Sequence, residues 1–204
     1  MASVGRGGRT RLIDPAQDLF AAAALPPGLR YLPDFLSADD ERALIAAIGA
    51  LPLVPAAYHA YTARRRVASF GVSVDFAARA LRSAPSLPDW LLPLRARVAV
   101  EMNVPATALA QALVTEYAPG TPLGWHRDAP AFEVIAGVSL AAECEMRWRP
   151  LDDPPAVLRL NVAPRSLYVI SGAARSRWQH AVAPTRALRY SITFRTLHAG
   201  AAVA

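Results

Sequence analysis

The chain has 204 residues, which is enough for one domain with a substantial hydrophobic core and short for two. A hydrophobic content of 53% and a charged content of 19% indicate a folded globular protein and exclude an intrinsically disordered chain. All 22 basic residues are arginines, against 16 acidic residues, and the net charge of +6 fits either a polyanionic partner or a plain compositional bias.

The N-terminal part of the chain divides into an arm and the start of a domain. Residues 1–30 mix Gly, Arg and Ala with little periodicity, so we expect a partly flexible arm, or a short helix near 16–24. Residues 31–204 are expected to form one folded domain.

Two helices are predicted in the first half of the domain. Ser37 is a good N-cap with Asp40 as its reciprocal partner, and the apolar spacing after them is helical. A second helix is predicted from Asp89 to about Met102, with Asp89 as its cap and Pro93 in its first turn.

After Pro105 the pattern changes to short strands separated by turns. Many short strands following two helices predict an α+β fold, with a double-stranded β-helix (jelly-roll) core braced by the N-terminal helices. The predicted strands are 111–118, 124–128, 134–140, 144–149, 157–162, 166–171, 177–182 and 188–196.

A candidate metal site lies within these strands. His126 and Asp128 are two positions apart, so on an extended chain both side chains point to the same face. His180 is available downstream as a third ligand. Two histidines and one carboxylate suit non-haem Fe(II) and leave other coordination positions open for substrate and oxygen.

The last predicted strand places two arginines on one face. Strict alternation from Arg189 to Arg195 gives this face two further hydroxyl side chains, Ser191 and Thr193, while the other face is apolar. Such a polar face is unusual inside a small barrel unless it binds an acid, and two arginines suit a small dicarboxylate. The alternative interpretation is a solvent-facing polar strand.

The motifs together resemble the AlkB family of Fe(II)- and 2-oxoglutarate-dependent dioxygenases. The resemblance covers Thr115–Gly120 leading into His126–Asp128, then Ser171–Arg175 leading to His180, then Arg189–Arg195. It implies Fe(II), 2-oxoglutarate and O2 as cofactor and cosubstrates. It also implies that His126, Asp128 and His180 hold the iron, that Arg189, Tyr117 and Ser191 bind the distal carboxylate of 2-oxoglutarate, and that Arg195 and Thr115 lie near its iron-chelating carboxylate.

The resemblance further implies oxidative demethylation of alkylated DNA or RNA bases, with release of formaldehyde, succinate and CO2. Aromatic and basic side chains suit a stacked base and its phosphates, and the candidates are Tyr58, Tyr61, Arg64, Arg65, Arg66, Phe70 and Trp178. The alternative is a solvated arginine run with core aromatics. Ala129-Pro130 stands where well-studied members have an acidic residue that contacts the base, so a protein or small-molecule substrate stays open, as does a binding module with a vestigial metal site.

The compartment and assembly are also predicted from the sequence. Cys144 is the single cysteine, which excludes an internal disulfide framework and fits a reducing compartment. We expect no secretory signal and no membrane span, because no apolar run is long enough. The expectation is therefore a cytoplasmic, soluble monomer.

Overall fold

The computed structural model describes residues 25–58 and 61–203 of the chain, and for residues 57–58 and 61–63 it describes the backbone alone. The helix predicted near 16–24 lies outside this range. The α-helices are α1 (Ala38–Gly49), α2 (Leu92–Met102) and α3 (Gly172–Ser176). The strands are β1 (Leu29–Leu32), β2 (Val54–Tyr58), β3 (Tyr61–Phe70), β4 (Val72–Asp75), β5 (Ala80–Ser83), β6 (Leu109–Tyr117), β7 (Leu123–His126), β8 (Phe132–Leu140), β9 (Cys144–Pro150), β10 (Leu158–Val162), β11 (Leu167–Ile170), β12 (Trp178–Val182) and β13 (Arg189–Leu197).

Two antiparallel sheets form the body of the protein. The larger sheet has seven strands in the order β1-β11-β8-β13-β6-β3-β2, and the smaller has four in the order β10-β9-β12-β7. Apart from the pairs β2-β3 and β9-β10, neighbours in these sheets are not neighbours in sequence, as in a jelly roll. The predicted α+β fold is confirmed, and each of the eight predicted strands corresponds to one strand from β6 to β13.

The helices pack on the outer face of the larger sheet. Ile48 of α1 and Val98 of α2 are fully buried in the same cluster as Ile192 and Phe194 of β13. The polar residues of β13 are buried as well, on its opposite face. The central strand therefore has an apolar face towards the helices and a polar face towards the space between the sheets, and the solvent-facing alternative for this strand is wrong.

The two predicted helices are present, with a difference at the second. Ser37 and Asp40 form the predicted capping box of α1. The second helix opens with a 3-10 turn, Asp89–Leu91, and the Asp89 side chain makes no capping hydrogen bond. Extended Pro88 precedes this turn, so proline geometry sets the helix start where a side-chain cap was expected.

Three further facts concern the start of the larger sheet, the length of the helices and the position of the single cysteine. β1 begins at Leu29 and pairs with β11, so the sheet starts two residues inside the segment predicted as an arm. No helix in the described ranges is long and apolar enough to cross a membrane. Cys144 is the first residue of β9 and is buried in the same hydrophobic cluster as Met146 and Trp148, as a small apolar residue would be.

Candidate metal centre

The three predicted ligands meet at the end of the smaller sheet. His126 is the last residue of β7 and lies directly opposite His180 of β12 in the antiparallel register. Their rings are 4.2 Å apart between centroids. Asp128 follows two residues after His126, and one ligand atom from each of the three residues lies within 4.8 Å of the others. The structure thus brings together residues separated by more than fifty positions in sequence.

The protonation states of these groups suit a divalent cation. Burial, and the neighbouring His126, lower the pKa of His180 to about 3. Burial also lowers the pKa of His126. Burial alone would raise the pKa of Asp128, but the charge of Arg195 and the hydrogen bonds from it outweigh burial and hold that pKa well below its usual range. At neutral pH the site therefore offers two neutral imidazoles and one carboxylate, the donor set of a 2-His-1-carboxylate iron site.

Hydrogen bonds fix the direction of these ligands. The His126 Nδ1 lies 2.8 Å from the Gly124 carbonyl oxygen, and because a carbonyl only accepts, Nδ1 carries the proton and Nε2 keeps its lone pair. Asp128 Oδ1 accepts from Arg195 Nε at 2.9 Å and Nη2 at 2.7 Å. The other oxygen, Oδ2, lies 3.6 Å from His180 Nε2, so each ligand turns one free atom inward.

A cavity of about 490 Å³ opens beside this cluster, between the two sheets. Arg189 lines it and is only 1% exposed. Its Nε donates to Ser139 Oγ at 3.1 Å, and its guanidinium lies 5.1 Å from the centre of the Tyr117 ring. Among the described residues, no carboxylate lies within ion-pair distance of Arg189. A buried cation without an anionic partner is costly, so this position fits a ligand carboxylate.

The other residues predicted to bind 2-oxoglutarate line the same cavity. Arg189 faces Tyr117, and Ser191 faces Thr115, across the pairing of β13 with β6. Together with Arg195, these side chains contribute to the cavity lining. The prediction from strand alternation therefore places the polar residues of both strands correctly on one wall.

Few of the predicted substrate residues reach the cavity. Arg65 is 8% exposed and lines it, whereas Arg64 is exposed. Arg66 points to the opposite face of β3 and forms two hydrogen bonds with Glu116, at 2.7 and 2.8 Å. The reason is strand alternation: Arg65, Val67 and Ser69 face inward, so the residues between them cannot.

The aromatic candidates differ in the same way. Phe70 packs against the core under the helices, and Trp178 packs in the core of the smaller sheet; neither is among the described residues lining the cavity. Phe70 and Trp178 are therefore packing residues, which agrees with the alternative interpretation that these aromatics belong to the core. Tyr58 and Tyr61 pair with each other at the ends of β2 and β3, and their side chains lie outside what the structure describes.

Sequence reasoning missed several residues that support the site. Gln111 accepts a hydrogen bond from Arg195 Nη1 at 2.8 Å. Its position on the same strand face as Thr115 and Tyr117 could have indicated that it lines the site. Arg175 donates to the carbonyls of Asp128, Ala129 and Phe132, which ties down the loop after the metal ligands. Its partners could not be read from the sequence.

Comparison with known families supports this picture. The family model described as the 2OG-Fe(II) oxygenase superfamily matches residues 28–195. The alkylated DNA repair protein ALKBH8 homolog of Arabidopsis thaliana is 30% identical over 179 residues, 76% of this chain and 50% of that protein. Uncharacterized protein L905 of Acanthamoeba polyphaga mimivirus is 34% identical over 100 residues, 43% of this chain and 48% of that protein. The chain spans about half the length of these curated relatives.

Solved structures share the fold. The structure of OsALKBH1 aligns with a TM-score of 0.65 at 18% identity, covering 84% of this chain and 97% of that one. A prolyl-4-hydroxylase from Pseudomonas putida aligns with a TM-score of 0.59 at 19% identity, covering 85% and 94%. The family match and the Arabidopsis relative confirm the resemblance that the motifs indicated, and the two solved structures agree with the predicted fold.

Proposed function

The chain belongs to the 2OG-Fe(II) oxygenase superfamily, and from this premise we propose that it removes methyl groups from alkylated bases of DNA or RNA. The family implies Fe(II), 2-oxoglutarate and O2 as cofactor and cosubstrates. When bound, they supply an oxidative decarboxylation that yields succinate and CO2 and hydroxylates a substrate C–H bond. If that carbon is an N-methyl group, the N-hydroxymethyl product separates into formaldehyde and the bare nitrogen.

The observation that carries the proposal is that one cavity contains both the metal cluster and the buried Arg189, which has no carboxylate partner among the described residues. His126, Asp128 and His180 would hold the iron through the atoms they turn inward. Arg189 would bind the distal carboxylate of 2-oxoglutarate, and Tyr117 would help it. The guanidinium is already ordered by its bond to Ser139, so little rotational freedom is lost on binding.

Arg195 has a second proposed task. It holds Asp128 through two hydrogen bonds and is itself held by Gln111. This keeps the iron-binding carboxylate ionised and oriented, while Thr115 and Ser191 supply hydroxyls on the wall nearby. Burial of the whole group excludes water from the reacting atoms, which strengthens each of these charge interactions.

Support for a nucleic-acid substrate comes from charge and from a relative. The net charge of +6 and the exposed Arg64 favour a polyanion. The Arabidopsis relative carries alkylated DNA repair in its name. The methyl-bearing base would enter the cavity past Arg65, with the phosphates outside.

A panel of methylated single- and double-stranded oligonucleotides, with Fe(II), ascorbate and 2-oxoglutarate, tests the proposal. We expect formaldehyde in step with succinate, and demethylated oligonucleotide by mass spectrometry. His126→Ala should abolish both products, while His198→Ala, an exposed histidine outside the cavity, should leave them unchanged. Succinate release without demethylation of any oligonucleotide would contradict the proposed substrate.

A second candidate is hydroxylation or demethylation of a protein side chain or small molecule. It is favoured by Ala129-Pro130, which places no carboxylate directly after Asp128 to contact an exocyclic amine. Peptides and metabolites from cell extracts should then raise succinate release above the uncoupled rate, while oligonucleotides do not.

A further inference from the structure

Charge in the cavity lining is strongly one-sided. The charged side chains other than histidine that line it, among the described residues, are four arginines and one carboxylate: Arg65, Arg127, Arg189, Arg195 and Asp128. The carboxylate is already bound by Arg195 and is a proposed iron ligand, so it is not available to a substrate. Fe(II) and the 2-oxoglutarate dianion have equal and opposite charges, so binding both leaves the positive excess unchanged.

The part of the cavity wall formed by β3 and β4 is the side left for a substrate, because the wall formed by β6 and β13 carries the proposed 2-oxoglutarate residues. Arg65 lies on this side and is buried, so its charge is held at the wall and is screened little by solvent. Ser73 adds a hydroxyl group to the same side, whereas the Ser69 hydroxyl already donates to the Val72 carbonyl oxygen at 2.8 Å. Among the described residues, this side of the lining carries the guanidinium of Arg65 and the hydroxyl of Ser73, and no carboxylate.

Methylated bases fall into two electrostatic classes. Methylation at N1 of adenine or N3 of cytosine leaves the ring positively charged at neutral pH. Methylation at N3 of uracil or thymine replaces a ring proton and gives a neutral ring with a carbonyl oxygen on each side of the methylated nitrogen. Methylation at N1 of guanine also gives a neutral ring, with one carbonyl beside the methylated nitrogen and an amino group on the other side. Guanidinium and hydroxyl groups can donate to these oxygens, whereas a cationic ring would be repelled.

From these observations we propose that the cavity selects neutral, carbonyl-bearing methylated bases over cationic ones. The inference rests on the proposed nucleic-acid function and narrows it. Arg65 is the discriminating residue, since it is the buried cation on the substrate side. It acts by donating to a base carbonyl and by disfavouring a positive ring.

The test compares N3-methyluracil with N3-methylcytosine at one position of the same single-stranded oligonucleotide. The two bases differ only in a carbonyl against an amino group and in ring charge. We expect kcat/KM for N3-methyluracil to exceed that for N3-methylcytosine roughly tenfold, as for one partly screened charge repulsion. N1-methylguanine and N1-methyladenine form a second pair with the same expected order.

Equal rates, or faster repair of the cationic member of each pair, would overturn this inference while leaving the proposed function standing. Succinate release with no demethylation of any base would overturn both. The two failures are therefore distinguishable in one experiment.

Two variants test the role of Arg65. Arg65→Gln should bring the ratio between the neutral and cationic bases close to unity, while Arg64→Gln, its exposed neighbour outside the lining, should keep the ratio. Ser73→Asp places a carboxylate on the substrate side and should favour N3-methylcytosine. An unchanged ratio in folded Arg65→Gln and Ser73→Asp would contradict the assignment.

Discussion

At the scale of single residues, Asp128 connects the metal cluster to the larger sheet. Its Oδ1 accepts two hydrogen bonds from Arg195 of β13, and Arg195 in turn donates to Gln111 of β6. Both charged side chains are about one tenth exposed or less, so neither charge can be solvated freely if the other is removed.

Removing this carboxylate should therefore destabilise even the metal-free protein. We expect Asp128→Ala to lower the free energy of unfolding by about 3 kcal/mol, because Arg195 is left buried without its anion. Asp128→Asn should cost less, because an amide oxygen still accepts a hydrogen bond. Urea unfolding in the presence of EDTA measures both. His126→Ala serves as control, and a loss for Asp128→Ala no larger than that control would contradict the argument.

Much of the site at this scale could be predicted from the sequence, because it depends on spacing. His126, Asp128 and the polar face of β13 follow from alternation along strands. The partner of Arg195 could not be predicted, since the 67 positions between Asp128 and Arg195 carry no periodic signal. The hydrogen bonds from Arg175 to three carbonyls depend on loop geometry, and loop geometry has no periodic signal in the sequence either.

At the scale of elements, β3 shows what alternation leaves open. The sequence indicates that Arg64 and Arg66 share one face and that Arg65 lies on the other, but it does not indicate which face is inward. Pairing with β6 decides the matter, because it sets Arg66 opposite Glu116 and leaves Arg65 towards the cavity. The three arginines predicted to bind the substrate are thus divided between three environments: solvent, the cavity and an ion pair with Glu116.

The contact between β8 and β11 gives a prediction at this scale. Gly137 lies opposite Tyr168, and a Cβ at Gly137 would come within 2.1 Å of the tyrosine Cζ. Gly137→Ala should therefore displace the buried Tyr168 ring and cost about 1–3 kcal/mol of stability. Tyr168→Leu in the same chain should recover much of this loss, because it removes the clashing ring atoms. A double-mutant cycle by denaturant unfolding measures the coupling, and additive effects would refute it.

At the scale of the whole molecule, the proposed ligands bridge the two sheets. The histidines belong to the smaller sheet, while Arg189 and Arg195 belong to the larger one. The jelly roll itself could be predicted, because its strands are short, regular and separated by turn residues. Which face of the larger sheet points towards the smaller sheet could not be predicted. The structure shows it, because the helices pack on the apolar face of β13 and leave its polar face towards the smaller sheet.

Loading the cavity should consequently stabilise the whole domain in two separate steps. With Mn(II) in place of Fe(II) to prevent turnover, each ligand at about 100 times its Kd should add roughly 2.7 kcal/mol. For a domain of this size that corresponds to an increase in Tm of about 5–10 °C per ligand.

Arg189→Gln should keep the Mn(II) increment and lose most of the 2-oxoglutarate increment, because the buried guanidinium would no longer meet the distal carboxylate. Differential scanning calorimetry of both proteins, each without ligand, with Mn(II), and with Mn(II) plus 2-oxoglutarate, measures the increments. A full 2-oxoglutarate increment in Arg189→Gln would show that the cosubstrate is held elsewhere.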